Sequence, residues 1–157
     1  MSFEEHVNDL CKTAFYHIRN ISRIRPCLSI HSTKTLVHVL VMSRLDQCNS
    51  LLNGQPDYLL QILQYVMNAA AKVITCKQKL DHVTPLLIEL HWLPVCQRII
   101  FKILLYTFKA LHGAAPTYLT ELISPYVPWR ALRSADQLLQ EQPTHKLKLT
   151  GLRAFSE

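Results

Sequence analysis

The stretch LHWLPVCQRIIFKILLYTFKALHGAAPTYL, residues 90–119, is the longest strongly patterned part of the chain. Pro94 lies where a helix can begin, because a residue in the first turn needs no intrahelical N–H donor. Gly113 lies where the helix can end, since glycine takes the left-handed conformation without a steric penalty. The spacing of the residues between them predicts an amphipathic helix that must pack against partners. Its predicted buried face comprises Val95, Ile99, Ile100, Ile103, Leu104, Thr107, Phe108 and Leu111.

Five further helices are predicted from start and stop signals on either side of this one. Ser2 and Glu5 form a capping box for the first helix, and Pro26 stops it because the residue before a proline avoids the helical region. The β-branched run at 37–41 disfavours a helix locally, so a strand remains an alternative there. The predicted helices run from Ser2 to just before Pro26, from Ser32 or Thr33 to about Leu52, from Pro56 to about Ile74, from Pro85 to His91 and from Pro116 to Ile123.

The apolar spacing also predicts which residues of these helices face inward. Val39 is among the residues of the second helix predicted to do so, Trp92 is predicted to be a core anchor between two helices, and the polar segment 77–81 is predicted to be a loop. The predicted inner faces are Phe3, Val7, Leu10, Ala14, Ile18 and Ile21 on the first helix and Leu59, Leu63, Val66, Met67, Ala70, Val73 and Ile74 on the third.

The composition is typical of a helical globular domain. Hydrophobic residues make up 49% of the chain and charged residues 18%, which is enough apolar material for a packed core. Only three glycines are present, which disfavours a turn-rich sandwich or barrel. We therefore predict an all-α fold of about six helices in a compact bundle over residues 1–125, with the third and fifth helices central. Residues 126–157 are predicted to form an irregular tail, in which 138–139 and 146–149 are candidates for short strands.

The net charge and the cysteine pattern indicate which binding partners and which cell compartment suit the chain. The net charge of +6 attracts nucleic acid or an anionic membrane surface without specifying either. The five cysteines are widely spread without a C-x-x-C pair, which favours reduced thiols in an intracellular protein, in the cytoplasm or the nucleus. No apolar run approaches the roughly 18 residues of a membrane helix, and the acidic N-terminal residues do not make a secretory signal. We predict no membrane partner and no cofactor.

Two predicted helix faces carry basic residues at helical spacing, and one of these faces includes a tyrosine. A solvated helix face explains such a pattern as readily as a ligand does. Contacts with RNA or DNA phosphates would give an affinity that depends on salt but not on sequence. An aromatic side chain among the cations could stack on an unpaired base. The candidate nucleic-acid-binding residues are Lys12, Tyr16, Arg19 and Arg23 on the first helix and Arg98, Lys102 and Lys109 on the fifth.

The chain shows no pattern typical of catalysis or of metal binding. It has no glycine-rich phosphate loop, no G-x-S-x-G motif and no pair of histidines four residues apart with an acidic neighbour. Asp46 has no second carboxylate near it in sequence, so it cannot build the two-metal site of phosphoryl transfer. We interpret Asp46 as pairing with Arg44 or Lys72, or as exposed. No catalytic residue and no metal ligand is predicted.

Five stretches of the chain resemble the segment that follows the catalytic domain in reverse transcriptases of animal non-LTR (LINE-type) retrotransposons. That segment comprises the polymerase thumb and the region beyond it. The resemblance covers about residues 10–156, and its most specific part lies at 84–123. The similar stretches are FYHIRNISRIRPCLS at 15–29, LVHVLVMSRLDQCNSLLNG at 36–54, LQYVMNAAAKVI at 63–74, TPLLIELHWLPVCQRIIFKILLYTFKALHGAAPTYLTELI at 84–123 and LRSADQLL at 132–139.

The resemblance implies a helical segment that helps to hold template RNA and target DNA beside a polymerase, with phosphates on the two basic faces. The chain departs from the family at Gln47, where the family usually has tyrosine, and at Met67 and Lys72, where it has glutamine and arginine. It lacks the Tyr-x-Asp-Asp motif of the polymerase palm and the endonuclease domain. It therefore looks like an open reading frame from a truncated element, without catalytic activity.

Three functions follow from these observations. The first is a non-catalytic, nucleic-acid-binding remnant of a retrotransposon reverse transcriptase. The second is a helical protein-interaction module, or a relic without molecular function, that self-associates through exposed apolar surface. The third is a polymerase or nuclease, which the missing acidic pair disfavours.

Overall fold

The computed structural model describes residues 3–47, 49–78, 80–121, 123 and 130. The predicted all-α fold is confirmed: these residues form six helices and no strand, when α2 and α3, which a π turn joins, are counted as one. Ser2 of the predicted capping box and the tail from 126, except Arg130, lie outside the described residues. The helices are α1 (Phe3–Ile24), α2 (Ile30–Val37), α3 (Ser43–Asp46), α4 (Asp57–Thr75), α5 (Thr84–Glu89), α6 (Val95–Leu111) and α7 (Thr117–Thr120).

The first helix follows its sequence pattern closely. Glu4 and Glu5 lie in its first turn, where carboxylates interact favourably with the helix dipole. Helix α1 ends at Ile24. Pro26, which was predicted to stop the helix, lies in the 3₁₀ turn that follows at Arg25–Cys27. Most of the predicted inner face is buried, although Phe3 is exposed.

The second predicted helix begins earlier than expected. Neither Ser32 nor Thr33 caps it; Ser29 does, because its Oγ accepts a hydrogen bond from the Ser32 backbone N–H at 3.0 Å. Across the β-branched run the chain forms a π turn, His38–Met42, so the alternative of a strand is wrong.

The π turn also changes which residues of the second helix are buried. In such a turn the backbone hydrogen bonds run from residue i to residue i+5, so each turn holds more residues than an α-helical turn. Residues four positions apart therefore lie on the same face of the helix. Thr33, Val37, Val41 and Leu45 are accordingly buried, whereas Val39, which was predicted to face inward, is 61% exposed.

The core lies between α1 and α4, with α2 against both. Ala14 on α1 and Ala70 and Ala71 on α4 are fully buried, and such small side chains permit close approach of two helix backbones. The predicted inner face of α4 is confirmed, with Val73 only partly buried. Fully or almost fully buried side chains of these two helices include Val7, Ala14, Ile21, Leu63, Val66, Met67, Ala70, Ala71 and Ile74.

The start of α6 is fixed from another helix. The side-chain Oε1 of Gln64 on α4 accepts a hydrogen bond from the Val95 backbone N–H at 2.8 Å. This N–H has no partner within its own helix, so the glutamine acts as a tertiary cap. Trp92, just before α6, is 7% exposed, which confirms its predicted role as a core anchor.

The end of α6 lies where the sequence placed it. Gly113 is left-handed with φ of 66°, and the N–H of Ala114 donates to the carbonyl of Lys109 at 2.8 Å, as in a Schellman motif. The predicted apolar face is buried at Val95 and Ile99, whereas Leu104 and Phe108 are about 60% exposed. This helix is therefore less central than its pattern predicted. The sixth predicted helix is shortened to the single turn of α7.

The chain divides into two compact units, Met1–Ile100 and Phe101–Glu157, with the division inside α6. The first unit contains α1 to α5 and the buried start of α6. The second contains the rest of α6 and α7. The predicted domain boundary at 125 stays a prediction, because the residues around it lie outside those that the structure describes.

Arg25 links the end of α1 to the end of α4. Its Nε donates to the carbonyl of Val73 at 3.2 Å and its Nη2 to the carbonyl of Ile74 at 3.1 Å. Its Nη1 donates to the carbonyl of Leu28 at 2.8 Å. The last carbonyls of a helix lack intrahelical partners, so a cation that donates to them satisfies them and interacts favourably with the helix dipole.

We expect Arg25→Leu to lower the free energy of unfolding by about 1–3 kcal/mol, because the partly buried carbonyls lose charged donors. The measurement is urea unfolding followed by circular dichroism. Arg44→Leu is the matched control: Arg44 is exposed, and we expect a change within about 0.5 kcal/mol. An equal loss in both variants would contradict the linking role of Arg25.

Candidate nucleic-acid interface

An open groove of about 750 Å³ lies between α1 and the C-terminal half of α4. One wall is the face of α1 that starts at Phe15, and the other is the face of α4 that starts at Ala69. The turns that follow the two helices complete it. The residues that line it are Phe15, Ile18, Arg19, Ser22, Arg23, Arg25, Pro26, Ala69, Lys72, Val73, Cys76 and Lys77.

The groove collects cations from two helices that are distant in sequence. Arg19 and Arg23 come from α1, Lys72 from α4 and Lys77 from the segment after it. Arg19, Arg23 and Lys77 are exposed, while Arg25 is held by backbone carbonyls. Among the described residues that line the groove, none is acidic. A concave surface lined by one sign of charge concentrates counter-ions, here anions.

A smaller cavity adjoins the groove along α1. It shares Phe15 and Arg19 with the groove and adds Lys12 and Tyr16. Tyr16 is 62% exposed. Lys12 lies 3.4 Å from the carboxylate of Asp9, and both side chains are largely exposed, so this ion pair contributes little stability. The four candidates predicted on the first helix therefore line one continuous surface.

The candidates on α6 have a different environment. The Nη1 of Arg98 donates to both carboxylate oxygens of Asp46 at 2.9 Å, and its Nε donates to the carbonyl of Leu93 at 2.9 Å. Its guanidinium also lies 6.0 Å from the ring centroid of Trp92. The side chain is 18% exposed, so these contacts hold Arg98 within the fold, and its role in binding stays a prediction. Lys102 and Lys109 belong to the second unit, and their role in binding stays a prediction.

Of the residues that line the groove, only Arg19 and Arg23 were predicted as site residues; those that sequence reasoning missed include Phe15, Lys72 and Lys77. Lys77 was assigned to a polar loop, and nothing in the local pattern places that loop beside α1. Phe15 is adjacent to Tyr16 in sequence, yet only Tyr16 falls on the predicted basic face. The pairing of Asp46 with Arg98 was also not predicted, because Arg98 lies 52 residues away.

The thiols differ in their environments. Cys11 is buried, and burial raises the pKa of its thiol to about 11, which keeps it protonated and unreactive at neutral pH. Cys76 lines the groove and is exposed, in the left-handed conformation that ends α4. Cys96 on α6 is exposed and is not part of the groove lining.

Neither a metal centre nor a membrane span is found in the part of the chain that the structure describes. No group of three or more His, Cys, Asp or Glu side chains there could hold an ion. None of the described helices is long and apolar enough to cross a bilayer.

Comparison of the chain with protein-family models, with curated proteins and with solved structures finds no match.

We expect the pair of Asp46 and Arg98 to contribute a coupling energy of about 1 kcal/mol, because the arginine is mostly buried and donates to both carboxylate oxygens. A double-mutant cycle of Asp46→Asn and Arg98→Gln, read from urea unfolding, measures it. Additive effects of the two substitutions would show that the pair contributes nothing. The same cycle tells whether a binding defect in an Arg98 variant comes from lost stability.

Proposed function

We propose that this chain binds nucleic acid without catalysis, through the groove between α1 and α4. The observation that carries the proposal is the convergence of Arg19 and Arg23 of α1 with Lys77, which follows α4, on a groove with no carboxylate among the described residues that line it. A nucleic-acid backbone is the polyanion that such a surface would bind most favourably, because each contact with a phosphate releases a counter-ion. Exposed Phe15 and Tyr16 beside the cations fit the same ligand, since bases stack on aromatic rings.

The resemblance to the segment beyond the polymerase in non-LTR reverse transcriptases supports the same class of ligand. On that reading the chain is a non-catalytic remnant that keeps a phosphate-binding surface. Its affinity would be independent of sequence, because the contacts would be made to the backbone and not to base edges. The exposed cations of the groove support Arg19, Arg23 and Lys77 as the main binding residues, whereas Arg98 is paired within the protein.

We expect the affinity of the purified chain for RNA to fall linearly with salt on a log–log plot. Three to four phosphate contacts give a slope of about −2 to −3 for a single strand. The double variant Arg19→Gln, Arg23→Gln should bind more weakly and have a slope about 1–2 units shallower. Fluorescence anisotropy across a salt series measures both quantities.

Arg44→Gln is the matched control, since Arg44 is an exposed arginine that does not line the groove. It should leave the slope nearly unchanged. Binding that does not respond to salt, or equal losses in both variants, would contradict a specific phosphate surface. Primer extension by the purified chain would contradict the non-catalytic part of the proposal.

A second candidate function, self-association, rests on the exposed apolar side chains of α6. Phe101, Leu104 and Phe108 are each more than half exposed, and they lie on one helix. Apolar surface of this kind is typical of a protein-binding face. The partner that we consider for this apolar face of α6 is a second copy of the chain.

If the second copy binds there, we expect a concentration-dependent dimer in sedimentation equilibrium. Leu104→Glu together with Phe108→Glu should abolish it, because a charge cannot be buried unpaired without a large cost. A control with Lys109→Glu, which changes charge but not the apolar side chains, should retain the dimer. A strictly monomeric wild type would rule out this function.

A further inference from the structure

We infer that the groove between α1 and α4 takes a single strand with an unpaired base inserted against Phe15, and not a duplex. This inference rests on the proposed function and names its ligand. It depends on the shape of the groove, on the apolar character of its floor and on its continuation along α1.

The shape favours an unpaired base. The site is a groove enclosed on two sides by helices. A duplex offers a convex rod of phosphates, and its bases are reached by protein elements that project into its own grooves. The described walls of this site do not project; they recede between α1 and α4. A single strand can place a base in such a recess, because its bases can be splayed out from their neighbours.

The floor favours a base over a phosphate. Ile18, Ala69 and Val73 contribute apolar side chains to the lining, and Phe15 is 38% exposed at one end. A phosphate gains nothing from these groups, whereas the flat face of a base can stack on the ring and cover the aliphatic side chains. Arg19, Arg23 and Lys77 then lie where the backbone of the same nucleotide needs counter-charges.

The surface continues beyond one nucleotide. The cavity with Lys12 and Tyr16 meets the groove at Phe15 and Arg19. From Lys12 to Arg23 the helix rises about 16 Å, at about 1.5 Å per residue. Two exposed aromatic side chains and three cations lie along this length, at helical spacing. Alternating stacking and phosphate contacts of this kind are typical of surfaces that track single strands.

Ala69→Leu tests base insertion without changing the charge. The larger side chain fills the groove, and leucine is nearly as favourable in a helix as alanine. We expect it to weaken binding of a short single-stranded RNA about tenfold, the loss of roughly one stacked base, while the salt slope is retained. Gln61→Leu is the matched control, because Gln61 is exposed on the same helix outside the groove lining.

Phe15 supplies a second, independent variant. Phe15→Ala should weaken single-strand binding by about 5- to 100-fold, whereas Phe15→Trp should retain it, because tryptophan keeps a stacking surface. The duplex of the same sequence should compete poorly with the single strand. Urea unfolding of every variant establishes that each is folded before its affinity is compared.

Protection of Cys76 from alkylation locates the ligand. At neutral pH a saturating single strand should slow the reaction of Cys76, in the groove, and leave Cys96 unaffected. Mass spectrometry of the labelled peptides gives both rates from one sample. Equal protection of the two thiols, or none, would overturn insertion into the groove.

The outcomes separate this inference from the proposed function. If the Arg19, Arg23 double variant loses binding while Ala69→Leu and Phe15→Ala do not, the phosphate surface stands and base insertion is wrong. Preference for duplex over single strand would also overturn the inference. If the folded wild type binds neither form at low salt, the proposed function fails and the inference fails with it.

Discussion

The guanidinium of Arg25 fixes the geometry on which the candidate site depends. It donates to two carbonyls at the end of α4 from a turn that directly follows α1. The ends of the two helices are therefore joined by charged hydrogen bonds, and α1 and α4 also pack against each other through buried faces that include Ala14, Ala70 and Ala71. Between these restraints the chain leaves a groove, and the residues on either side of the link, Arg23 and Lys77, face the same space. Arg25 thus helps to position the two walls of the groove, which Arg23 and Lys77 also line.

The arginines of this chain show why counting charges does not identify a binding surface. Arg25 and Arg98 each direct a guanidinium at oxygens of the protein itself, the first at helix carbonyls and the second at Asp46 and the Leu93 carbonyl. Arg19 and Arg23 are exposed beside a groove. All four arginines contribute equally to the net charge. An arginine that directs donors at oxygens of the protein itself has fewer left for a phosphate, so its environment, and not its charge alone, decides its role.

Burial distinguishes the core of the first unit from the surfaces proposed for binding. The core of the first unit is made of aliphatic side chains on α1, α2 and α4, closed by the Trp92 anchor. Among the apolar side chains that are exposed outside this core, Phe15 and Tyr16 adjoin cations beside the groove, whereas Leu104 and Phe108 lie along α6. Aromatic rings next to cations suit a ligand with both π faces and phosphates, whereas a plain apolar face suits another protein. The two proposed functions therefore use different surfaces of the molecule.

The sequence by itself determined the helical class, the boundaries of α1, α4 and α6, the buried face of α4 and the left-handed glycine that ends α6. These features follow from interactions between residues a few positions apart, such as apolar periodicity and the stereochemistry of proline and glycine. The tertiary structure decided the rest: the Gln64 cap on α6, the pairing of Arg98 with Asp46 and the approach of Lys72 and Lys77 to Arg19 and Arg23. Each of these joins residues more than thirty positions apart. The π turn in the second helix was not predicted either, since the β-branched run indicated only a weakened helix or a strand there. Periodicity states that a face is apolar or basic, but packing alone determines what lies opposite it.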